Sequence, residues 1–231
     1  LLWLGYEDAL PESLELHGHE QPPRKLLTIF RQPVSLAALA NNVIGGVVMM
    51  FIMTATPLAA VASNHSINDG ASIIQWHLVG MYAPSLFAGR LISRFGLPSI
   101  LFLGIALSAA CGLIAHCSDS LAAFYIALLF LGVGWNFMFV GGTVLLTASH
   151  HPSEKARVQG VAEFIRYTFT AFATLAAGPL LQSLGWKGMN DMIFPLLAVC
   201  AVITLWWVYI ERRIKNATSE HVSGSENRSA T

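Results

Sequence analysis

Charge is what this chain has least of. Charged residues occupy 11% of its 231 positions, thirteen basic against thirteen acidic, where a soluble domain carries about 25%. With 55% hydrophobic residues beside them, too little charge remains to cover a surface facing water on every side. Cysteine is nearly as scarce. Cys111 and Cys200 fall in apolar runs and Cys117 in a short connection, which excludes a disulfide framework. No basic stripe is available for nucleic acid. Also missing are a His-Glu-x-x-His pair, a Gly-x-Ser-x-Gly elbow, a P-loop and paired intramembrane aspartates, so the segment encodes no catalytic constellation and no ATP-driven pump. His17 with His19, and His150 with His151, lack partners at metal-ligand spacing, so neither metal nor cofactor is expected. There is no initiator Met, no basic n-region and no cleavage site. Leu1-Leu2-Trp3-Leu4 therefore reads as the end of an earlier apolar run, and the chain as the C-terminal part of a longer protein.

What is present is a hydrophobic pattern repeated six times. Runs of about 20 residues, the length that crosses a hydrocarbon core, fall at Leu36 to Ala62, Ser72 to Ile92, Pro98 to Ala115, Leu121 to Thr147, Gln159 to Leu184 and Met192 to Ile210. Backbone polar groups in lipid must be satisfied within their own segment, so the runs are expected to be helices. The fold class is all-α, a polytopic membrane bundle of six helices. Residues 1–33 read as the end of a preceding span plus a linker, 34–210 as the bundle and 211–231 as a polar, disordered tail.

The basic residues orient the bundle. Arg24, Lys25 and Arg31 precede the first run, Arg90 and Arg94 separate the second and third, and Lys155 and Arg157 the fourth and fifth. Arg212, Arg213, Lys215 and Arg228 follow the sixth. Lys187 alone occupies an alternate connection, and Arg166 lies inside a run. This asymmetry is the positive-inside signature: both ends of the chain are expected in the cytoplasm, and the bundle in a plasma membrane with lipid around it. Pro98 suits a first helical turn, and Pro152 precedes the fifth run. Pro57, Pro84 and Pro179 lie within runs and predict kinks.

Polar residues are not shared equally. The third and sixth runs are almost purely apolar apart from Ser108, Cys111, Cys200 and Thr204. The others carry Asn41, Asn42, Thr54, Thr56, Gln75, His77, Tyr82, Asn136, Thr143, Glu163 and Arg166. Two polar-bearing helices followed by an apolar one, twice over, is what a repeat of two three-helix units predicts, with two helices of each unit on a water-filled cavity. In the fifth run Gln159, Glu163, Arg166, Thr170 and Thr174 stand 4, 3, 4 and 4 apart, one stripe along a helix. A charge at mid-membrane costs about 2.5–3.5 kcal/mol even on lenient scales, so the stripe faces protein or water. Two readings of Glu163 and Arg166 stand: a pair that neutralises itself for packing, or a carboxyl that takes up and releases a proton beside a cation that modulates it or binds an anion. His77 is open in the same way, between proton relay and packing. Gln75 and Tyr82 share a face and offer donors to a solute. Gly132 and Gly134 suit close helix approach, while Trp135 and Asn136 beside them are candidates to line a site.

At this point a resemblance enters. Gly89-Arg90-Leu91-Ile92-Ser93-Arg94-Phe95-Gly96 resembles the cytoplasmic loop motif of the major facilitator superfamily in its second-half copy, with Ser93 where an acidic residue usually stands. Met53-Thr54-Ala55-Thr56-Pro57-Leu58, Gln75-Trp76-His77, Ala83-Pro84-Ser85, Gly132-Val133-Gly134-Trp135-Asn136-Phe137 and Ala156-Arg157-Val158-Gln159-Gly160 are similar to one bacterial-type branch. The resemblance covers about Phe30 to Ile210 and implies helices seven to twelve of a twelve-helix transporter. It implies alternating access, a solute held against an N-terminal six-helix half, and a cavity lined by helices seven, eight, ten and eleven. In that branch an Asn-Asp pair commonly occupies the positions of Ala162-Glu163, so a proton-coupling role carries to Glu163 alone, while Arg166 replaces an apolar residue. The expected function is secondary active transport of a small organic solute, proton-coupled, across a bacterial inner membrane, and no enzyme activity. The alternative is a non-transporting scaffold or sensor that keeps the fold.

Overall fold

The computed structural model describes the backbone of residues 24–229 and side chains as far as residue 217. The expectations for Leu1–Leu4, His17, His19 and the acidic part of the linker lie outside the described residues. Among those described, regular structure is helical: α1 (Leu26–Phe30), α2 (Pro33–Ala62), α3 (Ile67–Tyr82), α4 (Ser85–Phe95), α5 (Leu97–Cys117), α6 (Leu121–Ala148), α7 (Lys155–Asp191) and α8 (Ile193–Ser229), with a 3-10 turn at Pro152–Glu154.

Local chemistry sets the boundaries. Pro33 and Pro98 occupy first turns, where a missing N–H costs nothing. A capping box begins α3: Ser66 Oγ accepts from the Asp69 N–H at 3.1 Å, and Asp69 Oδ2 accepts from the Ser66 N–H at 2.9 Å. Ser120 caps α6 by accepting from the Ala123 N–H. Of the three prolines expected to kink their helices, Pro57 and Pro179 remain inside helices, while Pro84 ends one. The second run is therefore not one span but two helices in tandem, α3 and α4. The resemblance placed Gly89 to Phe95 in a loop; they are helical in α4, and only Gly96, at φ 83°, makes the turn into α5. Gly185, at φ 69°, interrupts α7.

The tail expected to be disordered continues α8 as helical backbone to Ser229. Extending a formed helix needs no new nucleus. Glu211, Arg212, Arg213, Lys215 and Ala217 are good helix formers, and Lys215 Nζ lies 2.9 Å from Glu211 Oε1 one turn away.

Four stretches are long and apolar enough to cross a membrane: Pro33–Ala62, Leu97–Cys117, Leu121–Ala148 and Pro152–Ala217, the last holding α7 and the start of α8. The second hydrophobic run, split between α3 and α4, is not among these stretches of the membrane helix bundle. α6 is the central post, packed on α2, α3 and α5, and α2 also packs on α7 and α8. Gly132 and Gly134 allow this. A Cβ on Gly132 would lie 2.6 Å from the His77 carbonyl oxygen, and one on Gly134 2.8 Å from that of Gly104. The two apolar spans dock through their few polar groups: Asn41 Nδ2 donates to Thr204 Oγ1 at 2.9 Å, tying α2 to α8, and Ser108 of α5 is buried against α6. At the end carrying Arg24, Lys155 and Arg212, here the basic end, Ile29, Ala37, Leu101, Leu145, Val158, Ala162 and Trp207 form one buried cluster.

Candidate functional site

α7 turns a small-residue face to the bundle: Val158, Ala162, Ala173 and Ala177 are buried. The polar stripe runs along the edge of that face, and Phe164, Tyr167, Phe169 and Phe172 are exposed beyond it. Thr170 is buried at the point of closest approach to α2. A Cβ on Gly46 would come within 3.1 Å of its methyl group and 3.6 Å of the Arg166 stem. The stripe hydroxyls return to their own helix, Thr170 Oγ1 donating to the Tyr167 carbonyl at 3.0 Å and Thr174 Oγ1 to that of Thr170 at 2.9 Å.

Arg166 and Glu163 are paired but not equivalent. Both Nε and Nη2 of Arg166 donate to Glu163 Oε2, the former at 3.0 Å. The guanidinium carbon lies 4.1 Å from the Tyr167 ring centroid and 5.4 Å from that of Phe139, contacts worth about 0.5–2 kcal/mol each. Enclosed this way, the Arg166 side chain keeps 12% of its surface, while Glu163 keeps 44%. The accessible charge is negative, and the anion-binding role expected of Arg166 meets a guanidinium already occupied by a carboxylate and two rings. Phe139 stacks in turn on Trp135, centroids 5.1 Å apart and planes 10° from parallel. Around Trp135 gather Met49, Met50 and Met53 of α2 and Met81 of α3. All four polar-bearing helices thus meet at one cluster of polarisable side chains. The methionines gave no signal in sequence because they are indistinguishable there from ordinary core residues.

The other expected residues divide. Gln75 and Tyr82 are exposed, and Thr54 is half-buried. His77 is fully buried, its Nδ1 bonded to the Leu128 carbonyl at 2.6 Å, which holds α3 to α6. Asn136, expected to line a site, is buried in the α3–α4 junction. Its Nδ2 donates to the Met81 carbonyl at 2.7 Å and to Ser85 Oγ at 2.5 Å, covering backbone that the break at Pro84 leaves without a helical partner. In the loop motif, Gly89, Arg90 and Arg94 are exposed. Ser93 Oγ donates to the Arg90 carbonyl, Arg94 lies 5.5 Å from the Phe95 ring, and neither arginine makes an ion pair among the described residues. No three metal-ligating side chains cluster among the described residues.

One ion pair escaped the sequence reading. Arg24, just before α1, grips Glu154 in the turn before α7, with Nη2 2.7 Å from Oε2. Hydrogen bonds from the Arg24 side chain, with the His151 backbone N–H next, hold the Glu154 carboxyl well below the usual carboxylate range. The partners stand 130 residues apart, beyond any local spacing rule.

A bundle of apolar helices around a charged pair inside one of them is a polytopic membrane protein. The family model of the Major Facilitator Superfamily matches residues 37–227, and the chain belongs to that superfamily. It is 42% identical over 179 residues to the riboflavin transporter RfnT of Brucella anthropi, covering 78% of this chain and 45% of that protein. It is 35% identical over 177 residues to the MFS-type transporter YddS of Bacillus subtilis, covering 75% and 39%, and 27% identical over 176 residues to the drug efflux pump JefA of Mycobacterium tuberculosis, covering 74% and 34%. The chain spans about half or less of the length of these curated relatives. No solved structure matches it. Membrane transport, not enzyme catalysis, is the business of this family.

Proposed function

We propose that the whole protein moves a planar aromatic solute, riboflavin or a close relative of it, across a bacterial inner membrane by alternating access, with the basic end in the cytoplasm. The observation that carries this reading is the grouping of an accessible Glu163 and Tyr167 on α7 with the Arg166–Phe139–Trp135 stack. The exposed Tyr167 ring offers a surface on which a planar heterocycle can stack, and a carboxylate accepts hydrogen bonds from its N–H or O–H groups. Riboflavin offers a flat ring system, an imide N–H and a chain of hydroxyls, and it is uncharged at neutral pH. That chemistry fits an accessible carboxylate better than an anionic solute would. The relative named for riboflavin transport supports the choice. A six-helix N-terminal half is the partner that would face the exposed Phe164, Phe172 and Leu175 of α7.

Glu163 serves coupling in the same reading. Protonation releases it from Arg166, and deprotonation restores the pair, so the carboxyl alternates between two environments as the cleft changes sides. The test uses the full-length protein in cells that cannot make or take up riboflavin, with radiolabelled riboflavin and an imposed proton gradient. Flux that an ionophore collapses, and that Glu163→Gln lowers to background at equal membrane level, is the expected result. Absence of riboflavin flux and binding overturns the substrate assignment. Gradient-driven flux unchanged in Glu163→Gln overturns the coupling role.

A further inference from the structure

The most heavily bonded carboxylate among the described residues lies outside the Glu163–Arg166 grouping. Glu154 is 2% exposed. Its oxygens accept from the Arg24 backbone N–H at 2.8 Å, Arg24 Nε at 3.0 Å, Arg24 Nη2 at 2.7 Å and the His151 backbone N–H at 3.0 Å. Arg24 Nη2 also reaches the Ser149 carbonyl at 3.3 Å. Further along the same segment, Ile29 of α1 is fully buried in the cluster that holds Val158 and Ala162 of α7. Residues 24–30 are therefore fastened at two points: Arg24 to the turn that begins α7, and Ile29 in the buried cluster that also holds Val158 and Ala162, where α1 packs on α2. Ala162 immediately precedes Glu163.

We propose that residues 24–30 are a strap on the basic end of α7, and that Arg24 and Glu154 are positioning residues which hold that end against the bundle and so control access to the α7 stripe from the basic side. α7 otherwise rests on α2 and, to a lesser extent, on α5. Its packing is mainly on α2 through small side chains, and it scarcely touches α8. Small sliding of one packed helix past another is one of the ways such bundles change state. The strap supplies a constraint through charge-assisted, multiply bonded contacts, which tolerate little displacement. Release of the strap frees the first turns of α7 while its alanine face stays on α2.

The experiment measures access rather than transport, so its failure is separate from failure of the transport reading. The full chain carries Gln159→Cys at the half-buried, basic-end position of the stripe, with the exposed Cys117 replaced by Ala. Inside-out vesicles are treated with a membrane-impermeant maleimide, and labelling is scored against the same chain without Gln159→Cys. Arg24→Ala and Glu154→Gln are each expected to raise the labelling rate severalfold. Arg24→Lys, which keeps a cation on the Glu154 carboxylate and leaves the backbone N–H bonds to it in place, is expected to hold the rate near the parental one, an outcome that mere loosening of the fold does not give. Should Glu154→Gln fail to accumulate, Arg24→Ala decides alone, since it removes a side chain that is 35% exposed. Labelling unchanged in Arg24→Ala, or raised as much in Arg24→Lys as in Arg24→Ala, overturns the proposal.

Discussion

α6 and α7 are both long membrane helices, and they use glycine and polar side chains in opposite ways. At Gly132, Gly134, Gly141 and Gly142 of α6, an added Cβ would meet a neighbouring helix well inside contact distance; at Gly160 and Gly178 of α7 it would meet nothing. Asn136 of α6 is buried with its amide committed to the next helix, whereas Glu163 of α7 remains open beside an enclosed partner. α6 is a post fixed by backbone contact on several sides. α7 is a beam resting on alanines and Thr170 along one face, with Glu163 and the aromatic flank turned outward. A polar residue in a membrane helix is therefore not by itself a sign of function. The difference lies in whether its partners are already complete within the bundle.

Gly132→Val tests the fixed helix hardest. The atoms nearest the new side chain are the His77 carbonyl oxygen, the Met81 nitrogen and the Gly80 carbonyl carbon, all backbone and all at 3.0 Å or less. None can rotate away, so α3 and α6 must separate. Overpacking of this kind costs at least about 3 kcal/mol, a large share of a membrane bundle's margin. The expected outcome is loss of the monodisperse protein in detergent chromatography. Normal yield and melting temperature would mean that α3 moves freely on α6, and the contrast with α7 would vanish.

His77→Phe separates packing from chemistry at the same interface. The ring is kept and the bond from Nδ1 to the Leu128 carbonyl is lost, for about 1 kcal/mol. A melting temperature a few degrees lower, with flux and its pH profile unchanged, is the result that fits the observed geometry. A flattened pH profile at unchanged stability would instead make His77 a proton relay and place functional chemistry on α3.

These two residues also mark how far the sequence could be read. Hydropathy outlines α2, α5, α6 and the α7–α8 stretch, because lipid imposes length on each segment separately. The α7 stripe was legible because its members are spaced by helical turns. Asn136 was not, because its role depends on a helix break whose backbone it covers from 55 residues away. Nor was the Arg24–Glu154 strap, since both residues look like ordinary loop charges until the fold brings them together. Pro84 shows the intermediate case. A kink was predicted from the residue itself, but only the packing of Asn136 against Met81 and Ser85 makes a full break affordable.

Gly160→Ala probes the open side of α7 with the smallest change. In the described structure the new methyl group enters empty space, and alanine inside a helix is favoured over glycine by about 0.5–1 kcal/mol. A slight rise in melting temperature with unchanged riboflavin flux is expected if nothing approaches this face. Gly160 lies on the turn before Glu163, however, where a partner half would close over the stripe. If the variant of the whole protein melts higher but loses flux, the glycine serves a close approach made only during transport. The free side of α7 would then be a surface that another part of the protein visits, and the contrast with α6 would be one of timing: contacts that are permanent on one helix and periodic on the other.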